Sequence, residues 1–237
     1  MTGEGRKTAA VVLAAGQGKR MHSDVAKQFM LVNGKPLIYY SLKAFEESDV
    51  DAVILVTGQE EIPYCQKEIV EKYGFMRVRK VVPGGKERYH SVYSGLQALS
   101  EVLPDDGIVL IHDGARPMLT QEIIGRTIAA AETYGACVAA MPVKDTIKVS
   151  DARGFAQMTP ERSTLWQIQT PQVFSYRLIF DAYKKIMSDP DLQKGITDDA
   201  MVVETVTPVR VKLTEGSYEN IKVTTPEDMM IAERFLS

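Results

Sequence analysis

Residues 8–21 read TAAVVLAAGQGKRM, an apolar run that passes directly into a glycine-containing, basic segment. The run Thr8–Leu13 is short and apolar, which is typical of a buried strand in a parallel sheet. The small residues after it let backbone N–H groups approach an anion closely, and successive amides can form an anion-binding nest. Arg20, and Lys27 six residues after Met21, add positive charge. The stretch predicts a phosphate loop after the first strand, the alternative being an ordinary turn with solvated charges.

Two common phosphate loops do not fit this segment. The ATPase pattern GxxxxGK[ST] is absent, and Met21 occupies the third glycine position of the dinucleotide pattern GxGxxG. The dinucleotide pattern also requires an acidic residue about twenty positions later, whereas the second predicted strand ends at Thr57. The remaining interpretation is a nucleotidyltransferase loop, in which a glycine-rich turn is followed by basic residues.

A regular alternation of strands and helices follows this first unit. Predicted strands lie at Ala52–Val56, Arg79–Val82, Gly107–His112 and Cys137–Val143. Predicted helices lie at Leu37–Glu47, Glu60–Tyr73, His90–Val102 and Gln121–Tyr134. Such alternation predicts an α/β fold with a right-handed, mostly parallel sheet flanked by helices. Ligands of these sheets bind beyond the carboxyl ends of the strands.

The alternation breaks after Val143. Two β-like runs flank residues 151–154, which predicts a hairpin arm leaving the sheet at about residues 145–170. An isolated hairpin is marginally stable in water. We therefore expect a partner subunit to cover its apolar side chains, which are Ile147, Val149, Phe155 and Trp166.

The remainder of the chain completes one domain over residues 1–237. Helices are predicted at Arg177–Met187 and near Asp199–Glu204, and a strand at Val209–Leu213. A last helix at Glu227–Leu236 has Thr225 as its N-cap and Pro226 at its first position.

The composition excludes several classes of protein. The formal net charge is −3, whereas a general nucleic-acid binder is usually basic. No apolar run reaches the roughly 18 residues of a membrane span, and the first residues lack the apolar stretch of a signal peptide. The three histidines have no zinc-binding spacing. Cys65 and Cys137 are far apart without a CxxC pattern, which indicates reduced packing thiols in a cytoplasmic protein.

Residues that follow the predicted strands are candidate site residues. Gly84 and Gly85 leave room for a flat base that Ser91 is placed to hydrogen-bond, a simple turn before a helix being the alternative. Asp113 is suited to holding ribose or Mg²⁺. Arg116 is suited either to pairing with Asp113 or to binding substrate.

Further candidates lie near the arm and the last helix. Thr146 at the root of the arm, Thr170 at its return and Thr197 are plausible hydroxyl contacts, although ordinary loop residues have the same appearance. Lys222 lies among apolar neighbours. That setting is typical of a strand lysine whose stem packs while its amine reaches water.

Eight ordered motifs together resemble one enzyme family over about residues 7–236. They are LAAGQGKRM, KQF, GGKERYHS, HDGARP, VKDT, LWQIQTPQ, TDDA and NIKVTTPED. The chain is similar in these motifs to the 2-C-methyl-D-erythritol 4-phosphate cytidylyltransferases. The resemblance implies a Rossmann-like nucleotidyltransferase fold and a homodimer clasped by β-arms. It also implies a Mg²⁺-dependent step of non-mevalonate isoprenoid biosynthesis, in which CTP reacts with the sugar-alcohol phosphate and pyrophosphate is released.

The resemblance also implies roles for matching residues. Stabilisation of the transition state is implied for Arg20 and Lys27, with Lys222 beside them. The implied CTP site comprises Ala14, Ala15, Gly16, Gly18, Gly85, Arg88 and Ser91. The implied surroundings of the substrates comprise Asp113, Arg116, Thr146, Thr170, Thr197 and Lys222. Arg162 on the arm is expected to reach the neighbouring subunit and hold the methylerythritol phosphate. Lys86 stands where some members have an acidic residue, so no nucleotide contact is assigned to it.

The implied reaction brings two polyanions together. A phosphate oxygen of the substrate attacks the α-phosphorus of CTP, and this nucleophile is already an anion, so no general base is required. Like charges about 4 Å apart repel by roughly 4 kcal/mol at an effective dielectric constant near 20. We therefore expect catalysis by positioning and by cationic side chains, with Mg²⁺ held mainly by phosphate oxygens.

Three other functions remain open at this point. A ribitol-5-phosphate cytidylyltransferase shares the scaffold, although HDGARP and NIKVTTPED favour methylerythritol phosphate. A sugar-1-phosphate nucleotidyltransferase with a different nucleotide is the second. A non-catalytic nucleotide-sensing module is the third, and the presence of both Arg20 and Lys27 argues against it.

Overall fold

A computed structural model of the chain describes residues 6–16 and 26–237. The strands are β1 (Thr8–Leu13), β2 (Leu31–Val32), β3 (Lys35–Pro36), β4 (Ala52–Thr57), β5 (Val78–Pro83), β6 (Ile108–Asp113), β7 (Ala136–Pro142), β8 (Val149–Ser150), β9 (Ala156–Met158), β10 (Trp166–Ser175) and β11 (Lys212–Glu215). The α-helices are α1 (Leu37–Glu46), α2 (Ile62–Tyr64), α3 (Arg88–Leu99), α4 (Gln121–Tyr134), α5 (Tyr176–Ser188), α6 (Asp199–Val206) and α7 (Pro226–Phe235).

Seven strands form the central sheet in the order β11-β7-β10-β6-β1-β4-β5. The pairs β1–β4, β1–β6, β4–β5 and β11–β7 are parallel, whereas β10 runs antiparallel to both of its neighbours. The predicted mostly parallel α/β sheet is confirmed. The carboxyl ends of β1 and β6 lie side by side, since Leu13 is in register with Asp113.

Helices cover both faces of the sheet. One core cluster includes Ile38 and Phe45 of α1 with Ile123 and Ile124 of α4. The other includes residues of α3, α5 and α6, such as Leu96, Tyr183 and Val203. Strand residues alternate between the two clusters: in β1, Ala10 and Val12 join the first, and Ala9 and Val11 the second. This burial on both faces explains why the strand sequences are continuously apolar.

Local signals begin and end several helices, and those predicted for the last helix are confirmed. Thr120 Oγ1 accepts a hydrogen bond from the N–H of Ile123 at the start of α4, and Gly135, with a φ of 77°, ends that helix. Thr225 caps α7 and Pro226 is its first residue. A serine, threonine or aspartate cap satisfies an otherwise unpaired N–H, and glycine adopts the left-handed conformation without steric cost.

Three predicted elements differ in the structure. The helix predicted at Glu60–Tyr73 is a 3-10 turn, a short α-helical turn and a π-helix at Cys65–Glu71 in succession. The strand predicted at Val209–Leu213 is β11 and begins at Lys212, where pairing with β7 starts. The last part of the predicted arm is instead the first part of β10, which inserts between β6 and β7. Periodicity gives no signal for that insertion, because it depends on strands distant in sequence.

The segment that leaves the sheet after β7 carries the small hairpin β8–β9. Ile147, Val149 and Phe155 are exposed, and Phe155 exposes 66% of its surface. Trp166 was expected to be exposed but is half-buried; it begins β10, in register with Pro142 of β7. No helix within residues 6–16 and 26–237 is both long and apolar enough to span a bilayer.

Candidate active site

A cavity of about 700 Å³ lies at the carboxyl ends of β1 and β6, beside the start of α3. This is the edge of the sheet where the sequence placed the ligand. The residues that line it are Leu13, Ala14, Ala15, Gly16, Lys27, Gln28, Gly85, Lys86, Glu87, Arg88, Ser91, Asp113, Ala115 and Lys222. Nine of the predicted site residues are therefore in one place: Ala14, Ala15, Gly16, Lys27, Gly85, Arg88, Ser91, Asp113 and Lys222.

The loop after β1 forms one wall. Ala14 is buried and its N–H donates to the carbonyl oxygen of Val56 at 2.7 Å, which fixes the start of the loop against β4. Among the described residues, nothing lies within 4 Å of a Cβ atom placed at Gly16, so the backbone there leaves room for a ligand. Gly18 and Arg20, both predicted site residues, lie outside the residues that the structure describes.

The turn before α3 forms the facing wall. The N–H of Gly85 donates to Ser91 Oγ at 3.1 Å, and Ser91 Oγ donates to the carbonyl oxygen of Glu87 at 3.4 Å. A Cβ atom at Gly84 would lie 2.5 Å from the Cβ of Ala15 and 2.7 Å from Ser91 Oγ. Only glycine fits so close an approach, which brings this turn against the loop after β1. Contact between Ser91 and a base stays a prediction.

Asp113 is the acidic centre of the cavity. It exposes only 8% of its surface, and its carboxylate lies 2.7 Å from Lys222 Nζ and 3.3 Å from Arg88 Nε. Burial alone would raise the pKa of Asp113, but the charges of Arg88 and Lys222 outweigh it and hold the pKa well below its usual range. Asp113 is thus an anion shared by two cations.

Lys27 and Lys222 approach this cavity from distant parts of the sequence. Lys27 begins the 3-10 helix Lys27–Phe29, and its Nζ donates to the carbonyl oxygen of Val223 at 2.8 Å. Lys222 lies in an irregular segment rather than in the strand that its apolar neighbours suggested. That segment is held by Val223, whose N–H donates to the carbonyl oxygen of Ala115 at 2.8 Å.

Arg88 has a buried partner that sequence reasoning missed. Its two terminal nitrogens donate to the carboxylate of Asp199, at 2.8 Å each. Asp199 is fully buried and also accepts a hydrogen bond from the hydroxyl of Tyr183 at 2.6 Å. The motif TDDA contains Asp199, but nothing in a sequence indicates that an acid at the start of α6 meets an arginine 111 positions earlier.

Thr170 and His112 form a hydrogen-bonded group next to the backbone of Asp113. Thr170 Oγ1 accepts from the N–H of Asp113 at 3.1 Å and lies 3.1 Å from His112 Nδ1, while His112 Nε2 lies 3.2 Å from the carbonyl oxygen of Arg116. These partners assign a neutral imidazole that donates through Nε2 and accepts the hydroxyl hydrogen at Nδ1. Burial lowers the pKa of His112 to about 4. Thr170 thus contacts Asp113, and a direct contact with substrate stays a prediction.

Arg116 lies in the loop after β6 and is held by a hydrogen bond to Asn220. Its Nη1 donates to the carbonyl oxygen of Asn220 at 2.7 Å, and burial lowers its pKa although Asp113 opposes the shift. Asn220 is itself buried and donates to the carbonyl oxygen of Thr170 at 2.9 Å. Arg116 therefore joins the segment that carries Lys222 to the loop after β6.

Besides Arg116 and Thr170, three predicted residues that the structure describes do not line the cavity in this chain: Thr146, Arg162 and Thr197. All three are exposed. Arg162 Nη1 donates to the carbonyl oxygen of Lys144 at 3.1 Å, and Thr197 Oγ1 lies 3.8 Å from Met201 Sδ. Their predicted roles would require a substrate that extends beyond this cavity or a second subunit.

Comparison with known proteins shows which family has this arrangement. A profile described as "IspD: 2-C-methyl-D-erythritol 4-phosphate cytidylyltransferase" matches residues 8–237. A protein of Lachnospira eligens with that enzyme name is 55% identical, over 96% of this chain and 98% of its own length. One of Alkaliphilus oremlandii is 47% identical, over 97% and 95%.

Solved structures agree. The crystal structure of 4-diphosphocytidyl-2C-methyl-D-erythritol synthase from Anaerococcus prevotii has a TM-score of 0.82 and 32% identity, over 98% of this chain and 96% of its own. The cytidylyltransferase of Thermus thermophilus has a TM-score of 0.74 and 27% identity, over 95% and 97%.

Proposed function

Because the chain belongs to the 2-C-methyl-D-erythritol 4-phosphate cytidylyltransferase family, we propose that its cavity beside Asp113 is where CTP meets the sugar-alcohol phosphate. The chain is a nucleotidyltransferase. It transfers CMP from CTP to 2-C-methyl-D-erythritol 4-phosphate, which gives 4-diphosphocytidyl-2-C-methyl-D-erythritol and pyrophosphate. The convergence of Lys27 and Lys222 on one cavity is the observation that carries the assignment of the site.

The reaction needs cations more than it needs a base. A phosphate oxygen of the acceptor forms the new bond to the α-phosphorus, and the bond from that phosphorus to the bridging oxygen of pyrophosphate breaks. Negative charge collects on the α-phosphate and on the departing pyrophosphate. Lys27 and Lys222 line the cavity, and we propose that they stabilise that charge. Arg20, which lies outside the described residues, is proposed to act with them.

The loop after β1 and the turn before α3 are proposed to hold the nucleotide. Gly16 and Gly85 border the cavity with backbone groups, and Ser91 lies behind Gly85. Backbone N–H groups of a glycine-rich turn suit phosphate oxygens. Gly18, outside the described residues, is also proposed to contact the nucleotide.

The donor groups of the cavity fit a magnesium ion that phosphates hold. Within the described ranges no cluster of three or more acidic, histidine or cysteine side chains could hold a metal, and Asp113 is the acidic group beside Lys222. Mg²⁺ prefers phosphate oxygens, water and one or two carboxylates, so Asp113 is the protein ligand that we propose. A bound Mg²⁺ supplies charge neutralisation at the phosphates.

A second copy of the chain is proposed to complete the acceptor site. The hairpin arm exposes Ile147, Phe155 and Met158, which is more apolar surface than a free hairpin is expected to leave in water. A homodimer clasped through these arms would cover them. It would also bring Arg162 of one subunit toward Thr146 and Thr197 of the other, where a phosphate is proposed to bind. The two buried free cysteines accord with a cytoplasmic location, which we also propose.

A single assay tests the proposed activity. Purified protein is incubated with CTP and 2-C-methyl-D-erythritol 4-phosphate, with and without Mg²⁺, and pyrophosphate release is measured. Ribitol 5-phosphate and other nucleoside triphosphates replace each substrate in parallel. We expect turnover that requires CTP, methylerythritol phosphate and Mg²⁺. Faster turnover with ribitol 5-phosphate, or no turnover with CTP, would contradict the assignment.

A further inference from the structure

Asp199 is a buried acid that lies behind the wall of the cavity. It has no exposed surface, and its carboxylate accepts three hydrogen bonds: two from the terminal nitrogens of Arg88 and one from the Tyr183 hydroxyl. Its backbone N–H donates to Oε1 of the buried Gln172 at 3.0 Å. Asp199 is therefore fixed from several directions and does not itself line the cavity.

Arg88, by contrast, does line the cavity. A guanidinium has five N–H donors in a rigid plane. Nη1 and Nη2 each donate one hydrogen bond to Asp199, and Nε donates to Asp113 at 3.3 Å. Three N–H groups are thus committed to the protein, and the plane of the guanidinium has one orientation in the wall.

Stabilisation of the fold is a weak explanation for this arrangement. A buried ion pair often contributes little net stability, because desolvation of both charges offsets their attraction. Asp199 also places a negative charge close to a site for a triphosphate, which is electrostatically unfavourable. What Asp199 does provide is a fixed orientation of the Arg88 guanidinium.

We propose that Asp199, held by Tyr183, is a positioning residue for the nucleotide: it fixes Arg88 in the cavity wall so that the remaining N–H groups of its guanidinium face CTP. This inference rests on the proposed function, since it takes CTP as the occupant of the cavity. When Asp199 is neutral, the fork of Arg88 has Asp113 as its nearest remaining carboxylate. A turn toward Asp113 would compete with Lys222 and change the shape of the wall.

The direction in which Asp199→Asn changes the affinity for CTP distinguishes a positioning role from a purely electrostatic one. Asp199→Asn adds one net positive charge beside the triphosphate, so an electrostatic role alone predicts tighter binding of CTP. Loss of position predicts weaker binding, by about tenfold or more, because small displacements of a contact group are costly. Tyr183→Phe removes one hydrogen bond to Asp199 and is expected to weaken CTP binding by about threefold.

The experiment measures CTP binding with Mg²⁺ by isothermal titration calorimetry, together with KM for each substrate. Asp199→Asn should raise both the Kd and the KM for CTP and leave the KM for the acceptor within about twofold. Glu204→Gln is the matched control, because it makes the same chemical change on the exposed face of α6 and should bind CTP as the parent protein does. A folded Asp199→Asn protein with unchanged or tighter CTP binding would overturn the proposal.

A double-mutant cycle shows whether Asp199 acts through Arg88. In an Arg88→Met background, Asp199→Asn should have little additional effect on the Kd for CTP. If Asp199→Asn fails to fold, Tyr183→Phe decides, and a parental Kd in that variant refutes the inference. Absence of CTP binding in the parent protein would instead refute the proposed function, and this inference with it. Binding of CTP without turnover would leave the positioning role standing and the proposed reaction refuted.

Discussion

The wall of the cavity and the hairpin arm differ in where they place charged and apolar groups: the wall buries charged side chains, and the arm exposes apolar ones. In the wall and directly behind it, Asp113, Arg88 and Asp199 are packed among strands and helices, and each charge faces an opposite one. In the arm, Arg162 and Phe155 are exposed, and β8 and β9 contribute only two and three residues of pairing. These ion pairs of the wall form within one chain, whereas the arm exposes apolar side chains that we propose a second copy of the chain to cover.

The largest effect is expected where the wall meets the reacting phosphates. Lys27→Ala should lower kcat by about a thousandfold while the fold persists, because it removes a cation that we propose to stabilise the transition state. Steady-state pyrophosphate release and circular dichroism measure the two properties. Lys72→Ala, on the surface beside Glu68, is the control and should turn over normally. A folded Lys27→Ala protein with nearly normal kcat would remove Lys27 from the mechanism.

The wall should also lose stability in acid. His112 has a pKa of about 4 when folded and about 6.5 when unfolded, so protons bind the unfolded chain first. Neutral His112 therefore contributes about 3 kcal/mol to the free energy of unfolding. This contribution is fully present above about pH 6.5 and is lost as the pH falls toward 4.

Urea unfolding at a series of pH values measures this contribution. His112→Gln cannot titrate, so its free energy of unfolding should fall less steeply than that of the parent protein between pH 6.5 and 4. Equal slopes in the two proteins would show that His112 is not held neutral.

The arm is expected to control assembly. Phe155→Asp should raise the dimer dissociation constant by about a hundredfold, since it places a charge in an apolar contact made twice in a symmetric dimer. Sedimentation velocity over a range of concentrations measures the change. Met76→Asp, which alters a side chain 73% exposed and far from the arm in sequence, should leave the dimer intact. A parent protein that is monomeric at all concentrations would contradict the proposed assembly.

The smallest effect is expected for Arg162, the residue of the arm that we propose to bind the acceptor at the cavity of the partner subunit. Arg162→Ala should raise KM for the acceptor about tenfold and leave KM for CTP nearly unchanged, because the proposed contact is with the acceptor phosphate alone. Arg234→Ala, an exposed arginine of the last helix, is the control. An unchanged KM for the acceptor would count against a role for the arm in binding.

Mixing the Lys27→Ala variant with the Arg162→Ala variant, which has a raised KM for the acceptor, tests whether that contact crosses between subunits. A dimer of one Lys27→Ala chain and one Arg162→Ala chain contains one intact site if Arg162 serves the partner subunit. It contains none if Arg162 serves its own subunit. Recovery of activity with the parental KM is therefore expected on mixing, and no recovery would place Arg162 in the site of its own chain.

The sequence predicted the framework of the site well and its internal contacts poorly. Thr8–Leu13 and Gln121–Tyr134 have the bounds expected from their patterns. Lys27, Arg88, Asp113 and Lys222 do lie at one cavity, as the motifs implied. The partner of Arg88 was missed, because the pairing with Asp199 depends on how α3 and α6 pack on the sheet.

The sequence by itself determined the alternation of strands and helices, the cap of the last helix, and the position of Gly85 and Asp113 near the ends of strands. These follow from periodicity and backbone sterics, which act over a few residues. Only the tertiary structure decided that β10 inserts antiparallel between β6 and β7, that Lys222 and Arg88 share Asp113, and that Asp199 holds Arg88 from behind. Those contacts join residues as much as 111 positions apart, and strand order and helix packing set them rather than local propensity.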